Sequence, residues 1–256
     1  MIATLLFAVF IITMMLGVPI GASLGLAGAA AIALANAEAP WFGLLAVPQN
    51  FYAGLGKYPL LAIPMFVLVG SIFDRSGVAL RLVNFAIALV GRGPGMLPLV
   101  AICVAMFLGG ISGSGPANAA AVGAVMIAAM NRAGYPASYS ASVVGAAAAT
   151  DILIPPSVAF IVYSVLVPGA SVPALFAAGM IPGVLAGIAL IVPAVWMARK
   201  HGMGHLESSL PRPPLLKSFI EAIWGLAAPV LILGGMRMGW FTPTEAAVVA
   251  VFYGLF

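Results

Sequence analysis

Gly110-Ile111-Ser112-Gly113-Ser114-Gly115-Pro116 and Thr150-Asp151-Ile152-Leu153-Ile154-Pro155-Pro156-Ser157 decide how this chain folds. Both are helix-breaking, and both sit in apolar surroundings, where the runs 93–131, 133–150 and 152–198 carry no charge. The first offers small residues and hydroxyls and closes on a proline. In the second, a Pro-Pro pair removes two backbone donors and biases Ile154 away from helix. Between them stands the turn Asn131-Arg132-Ala133-Gly134-Tyr135-Pro136. Ser114 and Thr150 each lie 18 positions from Arg132, which puts the two breaks at nearly one height above that turn.

The composition sets the solvent. Of 256 residues, 64% are hydrophobic and only 6% charged, against roughly 25% charged in an average soluble domain. So few charges cannot cover a water-exposed surface, and the chain reads as an all-α polytopic membrane protein. The net charge of +4 is thinly spread, which argues against nucleic acid as a partner. Cys103 is the only cysteine, so neither a disulfide framework nor a metal–thiolate site is expected. Met1 to Ala37 is uncharged and has no basic flank, so no cleavable signal is expected.

Charges divide the rest into passes, because they are costly in hydrocarbon. Residues 1–37 exceed one span of ~20 residues, and Gly17, Pro19, Gly21 and Gly25 predict two short helices with a turn. The aromatic, Pro- and Gly-bearing segment 41–56 reads as an interfacial piece. Residues 59–73 form a pass opened or kinked at Pro64, and 77–91, with Arg75, Arg81 and Arg92 in or beside it, an amphipathic surface arm. A clean span over 171–198 leads to the basic loop 199–217, which the positive-inside rule makes cytoplasmic, with the N-terminus outside. Residues 218–236 return. The 14 residues 243–256 reach only ~21 Å of a ~30 Å core, which raises the expectation of further chain.

With Pro98 taken as a helix start, 98–111 and 117–130 give two legs of about 14 residues, or ~21 Å each. Legs that short predict a re-entrant hairpin over 93–131, opening from the cytoplasmic side, with its tip inside the membrane. Two full spans joined by a surface turn are the alternative. Non-helical backbone at depth is tolerated only inside protein or beside a water-filled cavity. Unwound carbonyls joined by Ser and Thr hydroxyls suit a hard monovalent cation such as Na⁺, and the helix N-terminus at Ala117 suits an anionic group.

The segments Gly110–Ser114, Gly134-Tyr135, Ile154–Ser157 and Gly179-Met180-Ile181-Pro182-Gly183 resemble the large membrane subunit of tripartite ATP-independent periplasmic (TRAP) transporters, the DctM-like permeases. Leu61–Phe66 and Phe241–Ala247 are similar to further signatures of that family, and the likeness runs in order along essentially the whole chain. The resemblance implies an elevator-type fold of the ion-transporter superfamily in the bacterial inner membrane. It implies Na⁺-driven import of an organic acid, with a small membrane subunit, a periplasmic substrate-binding protein and the lipid bilayer as partners. Scaffold helices and an interfacial arm would occupy 1–92. A transport region would occupy 93–170, with the hairpin 93–131 and a broken helix 137–168. Residues 171–256 would return to the scaffold and begin a second repeat, whose remainder would lie beyond Phe256. The sodium ligands it implies are Ser112, Ser114, Asp151, Ile154 and Pro156, largely through backbone oxygens. Asp151 stands where the family pattern has a small residue, so either its carbonyl or its carboxylate faces the site.

Each residue also has a plainer reading. Ser112 and Ser114 suit a solvated turn. Asn118 is either a helix cap or a substrate contact, and Thr150 and Ser157 are candidate substrate contacts, with Ser157 alternatively capping the resumed helix. Pro155 and Pro156 suit an incidental kink. Asp151, the only acid between Asp74 and Glu207, suits a carboxylate satisfied by backbone N–H groups. Glu245 fits a helix dipole, Arg237 a boundary charge, and His201 and His205 the basic loop. A channel, a structural subunit or an intramembrane serine enzyme are the competing classes; no His or Lys near either break serves the last as base.

Overall fold

A computed structural model describes residues 2–38, 40–91, 93–167, 169–209 and 212–256. Arg92, which flanks the 77–91 segment and the hairpin run, and Pro168, near the end of the broken helix, lie outside the described residues. The chain forms two compact units, Met1–Lys57 and Tyr58–Phe256. In the first, α1 (Ile2–Met15) and α2 (Ile20–Ala35) are the two short helices expected, joined across Gly17 and Pro19. The segment expected to be interfacial is a 16-residue helix, α3 (Pro40–Leu55), which carries Pro48 inside it. Trp41, Phe51 and Tyr52 are all exposed on it.

The second unit is entirely helical among its described residues. A 3₁₀ turn, Tyr58–Leu61, leads into α4 (Ala62–Arg75), so the change of winding expected at Pro64 comes three residues earlier. Helix α5 (Val78–Val90) is the amphipathic 77–91 segment. It buries Val78, Ala79, Leu82 and Val83 and packs on α6 (Met96–Ser112) and α11 (Leu215–Arg237), so one face belongs to the core. Helix α7 (Gly115–Arg132) returns antiparallel to α6, and α8 (Ala137–Ala148) packs against both. After a 3₁₀ turn at Ala149–Ile152 and an irregular stretch comes α9 (Val158–Leu166). Helices α10 (Val172–Lys200) and α11, together with Tyr58–Arg75, are long and apolar enough to cross a membrane. Helix α12 (Pro243–Leu255) packs on α4.

Helix α10 shows what decides the packing. Its outward residues, Ile181, Leu185, Ile188, Val192 and Trp196, are exposed apolar side chains, as lipid requires. Its buried stripe is Gly179, Gly183 and Gly187, four apart, where the missing side chains admit neighbours at backbone distance. A Cβ on Gly183 would come within 2.7 Å of Ile154 Cγ1, and one on Gly187 would strike Met106. The glycines thus seat the irregular stretch and α6 on α10. At its start, the Ser171 hydroxyl accepts from the Ala174 N–H at 3.4 Å.

Two corrections concern the hairpin. Helix α6 begins at Met96 rather than Pro98, and α7 begins at Gly115 rather than Ala117. Proline lacks only a donor that the first turn leaves unused, so it marks that turn and not the first residue. The legs therefore have 17 and 18 residues, or ~25 and ~27 Å. Length alone then no longer separates a re-entrant hairpin from two spans. A third correction shortens the basic loop. Lys217 lies within α11, paired at 4.0 Å with Glu221, and Arg199 and Lys200 end α10. The Arg212 guanidinium donates to the Ala88 carbonyl near the end of α5.

The loop 201–209 is tied to the base of the hairpin by a buried acid. Glu207, 3% exposed, accepts the Leu97 N–H at 2.9 Å on one oxygen. Its other oxygen accepts the Tyr135 hydroxyl at 2.6 Å. Tyr135 in turn accepts the Gly95 N–H at 2.7 Å, and the Leu206 N–H donates to the Ala133 carbonyl. One carboxylate thus satisfies an unpaired donor of the α6 N-terminus while gripping the α7–α8 turn. The turn at 131–136 and the loop after α10 are therefore on one side of the unit.

Desolvation raises the Glu207 carboxyl above its ordinary value, against the lowering effect of its bonds from Tyr135 and Leu97. A carboxyl raised on folding stabilises fully below its ordinary value of 4.5, and that contribution is lost as pH rises through the folded value. Thermal unfolding in detergent should therefore show stability increasing as pH falls from 8 toward 5, and Glu207→Gln should flatten that slope. Glu207→Ala should cost about 1–3 kcal/mol by stranding the buried Leu97 and Tyr135 donors.

Candidate functional site

The hairpin tip is built for close approach. Helix α6 ends at Ser112, and Gly113 adopts φ +61°, the left-handed conformation that ends helices and that a side chain resists. Space forbids a side chain there as well, because a Cβ on Gly113 would collide with the Pro156 carbonyl oxygen. Ser114 then takes the N-cap position of α7 with extended backbone, and Pro116 sits in the first turn. A Cβ on Gly115 would lie 2.8 Å from the Ala148 carbonyl oxygen. Two successive tip glycines thus face the 148–157 break, and the two interruptions meet.

The break supplies what the tip covers. After Ile152 the chain runs irregularly through Leu153 to Ser157, with Ile154 through Ser157 all buried. Among the described residues, no donor reaches the carbonyl oxygens of Gly113, Leu153, Ile154, Pro155 or Pro156. Each bare carbonyl at this depth is costly unless something else supplies positive charge.

A side-chain chain crosses the same junction. The Ser112 hydroxyl donates to Asn118 Oδ1 at 3.1 Å. The Asn118 amide donates to Asp151 Oδ2 at 2.8 Å. Asp151 is 0% exposed and its Oδ1 has no hydrogen-bond partner. The carboxylate rests against α6 at a place that only glycine allows, since a Cβ on Gly109 would lie 2.5 Å from Oδ1.

The structure therefore brings together Ser112, Asp151, Ile154 and Pro156 at one junction, with Ser114 at its edge and half-buried. Asn118 is not a cap: it lies inside α7, its side chain linking hairpin to break. Thr150 and Ser157 are present but turned inward, their hydroxyls donating at 2.7 Å to the Ala147 and Ile152 carbonyls respectively. Ser157 holds the N-cap position of α9 without a side-chain cap bond. Glu245 completes a capping box with Thr242, as its place at a helix start suggested. Gly109, Gly113, Gly179 and Gly183 belong to the site's construction; the sequence placed Gly113 in a helix break and Gly179 and Gly183 in a family motif, and it gave Gly109 no role.

Chemically, the junction offers neutral carbonyls and one acid oxygen in a low-dielectric setting. No group of three or more His, Cys, Asp or Glu lies together among the described residues. Such an oxygen set fits a hard monovalent cation and does not fit a transition metal.

The family model for the tripartite ATP-independent periplasmic transporter DctM component matches residues 7–256. The chain is 41% identical over its whole length to the C4-dicarboxylate TRAP transporter large permease protein DctM of Vibrio cholerae, covering 55% of that protein. It is 40% identical to the isethionate TRAP transporter permease protein DctMQ of Oleidesulfovibrio alaskensis, over 98% of this chain and 39% of that one. To the sialic acid TRAP transporter large permease protein SiaM of Vibrio cholerae it is 38% identical, over 94% of this chain and 55% of that one. The chain spans about half the length, or less, of these relatives. Its sequence, its helical build and these matches agree: the chain belongs to the DctM component family of tripartite ATP-independent periplasmic transporters, whose members are membrane transporters and not enzymes.

Proposed function

We propose that this chain acts within the large membrane subunit of a sodium-coupled secondary transporter that carries an organic acid inward across the bacterial inner membrane. The observation that supports it is the meeting of hairpin tip and break at Gly113 and Pro156, with carbonyl oxygens lacking donors, among the described residues, at Gly113 and along Leu153–Pro156. Na⁺ is the transported coupling ion in this reading. Its oxygens come from the Ser112–Ser114 tip and from Asp151, Ile154 and Pro156 of the break. The hairpin is re-entrant, a reading that rests on the packing of its tip and not on the length of its legs.

The mechanism follows from charge. Without a cation the junction presents the negative ends of carbonyl dipoles, which repel an anionic substrate. A bound cation draws tip and break together and leaves the N–H groups at the start of α7, near Gly115, as the exposed positive end. An organic anion then binds more tightly, and it strengthens cation binding by the same factor. The relatives' names cover a dicarboxylate, a sulfonate and a sialic acid, so the shared chemistry is a small oxyanion on a polar carbon skeleton. A periplasmic binding protein delivers it, and a small membrane subunit completes the assembly.

The test is uptake in liposomes holding the complete assembly, with and without a sodium gradient. Ser114→Leu and Pro156→Leu should each reduce sodium-dependent uptake more than tenfold while membrane insertion stays normal. Unchanged uptake in both variants, or ohmic conductance in place of saturable uptake, overturns the reading.

A further inference from the structure

We propose that the Asp151 carboxylate is itself a ligand of the coupling cation, giving this chain's site a fixed negative charge beside its neutral oxygens. The inference rests on the sodium-coupled reading above and goes beyond the backbone-oxygen set carried by the family resemblance.

Three observations carry it. First, Asp151 is 0% exposed and one carboxylate oxygen has no partner. Backbone N–H groups were the plain alternative for satisfying this acid, and none donates to it among the described residues. Second, no basic side chain neutralises it: the ion pair the described residues contain, Lys217–Glu221, lies on the exposed start of α11. A buried carboxylate left in that state is strongly disfavoured; either a proton or a bound cation neutralises it, and a cation also supplies the partner its Oδ1 lacks. Third, the one donor it has is oriented toward an anion. The Asn118 amide N–H donates to Asp151, while its carbonyl end accepts from the Ser112 hydroxyl. The hairpin thus aligns two dipoles on the carboxylate and stops one ligand short.

The surroundings preserve the acid's access to the bare carbonyls. Gly109 leaves room for the carboxylate against α6, and Gly113 brings the tip onto Pro156 from the same helix, one turn further on. Asp151 and Pro156 therefore both pack against the end of α6, at Gly109 and Gly113 respectively. A monovalent cation there removes the charge penalty and supplies the missing partner in one step. It also binds through the side-chain link, because the Asp151–Asn118–Ser112 chain connects the break to both legs of the hairpin.

The experiment follows thermal unfolding of the purified chain in detergent while sodium chloride replaces choline chloride at constant ionic strength. Wild type should be stabilised saturably by sodium. Asp151→Asn and Asp151→Gly should shift the half-saturating sodium concentration upward by tenfold or more. In choline alone the order should reverse, with Asp151→Asn unfolding at a higher temperature than wild type because the uncompensated charge is gone. If Asp151→Gly responds to sodium with wild-type affinity, the ligand is backbone alone and the inference fails while sodium coupling stands. If Asp151→Asn is less stable than wild type in choline, the acid is not an uncompensated charge and the inference fails likewise. A wild type that shows no sodium response overturns the sodium reading together with it.

Discussion

Backbone carbonyls that lose their helical donors inside an apolar medium must find another positive partner, and the double proline at 155–156 creates that debt in this fold. Much of the second unit is arranged around it. Gly113 lets the hairpin tip touch the Pro156 carbonyl, Gly115 lets it reach Ala148, and Gly179 and Gly183 let α10 close from behind against Leu153 and Ile154. A methyl group at any of these positions would come within 3.0 Å of a neighbouring atom and force the packing to shift. The price of this closeness is a run of residues with no side chain to pack, which apolar neighbours such as Ile111, Met126 and Ile161, all fully buried, make good.

The hairpin is held at two ends by different chemistry. At its base, Glu207 bonds Leu97 and Tyr135, so the loop after α10 is stapled to the start of α6 and to the turn after α7. At its tip, neutral carbonyls and the Ser112–Asn118–Asp151 chain make the contact. The base carries its own acceptor, which takes the Leu97 and Tyr135 donors. The tip does not close its own account, since Asp151 Oδ1 and the carbonyls remain without donors. In the proposed function, it is at the second end that an ion would act.

The sequence exposed the breaks because Gly and Pro act locally. Pro155-Pro156 and Ser112–Pro116 interrupt helices wherever they stand, and their equal distance from Arg132 needed only counting. Helix starts were misplaced twice by two residues, at Met96 and Gly115, because proline is tolerated anywhere in a first turn. Asn118 and Glu207 were harder for a different reason. Their partners are Asp151, 33 positions away, and Tyr135, 72 positions away, so nothing in the local pattern separates a capping asparagine from a bridging one. Gly109 was invisible for the same cause: its role is to make room for a side chain on another helix.

These two kinds of contact also constrain how any coupled movement can occur. The Glu207 staple joins loop 201–209 to the start of α6 and to the turn after α7 by buried bonds, so separating these elements requires releasing that acid. The break at 150–157 lies between α8 and α9 and has no such staple of its own; it is fixed by glycine contacts and by Asn118. In the proposed reading, a cation held between tip and break would add bonds at this junction, and ion and substrate would be coupled there without a long path through the protein.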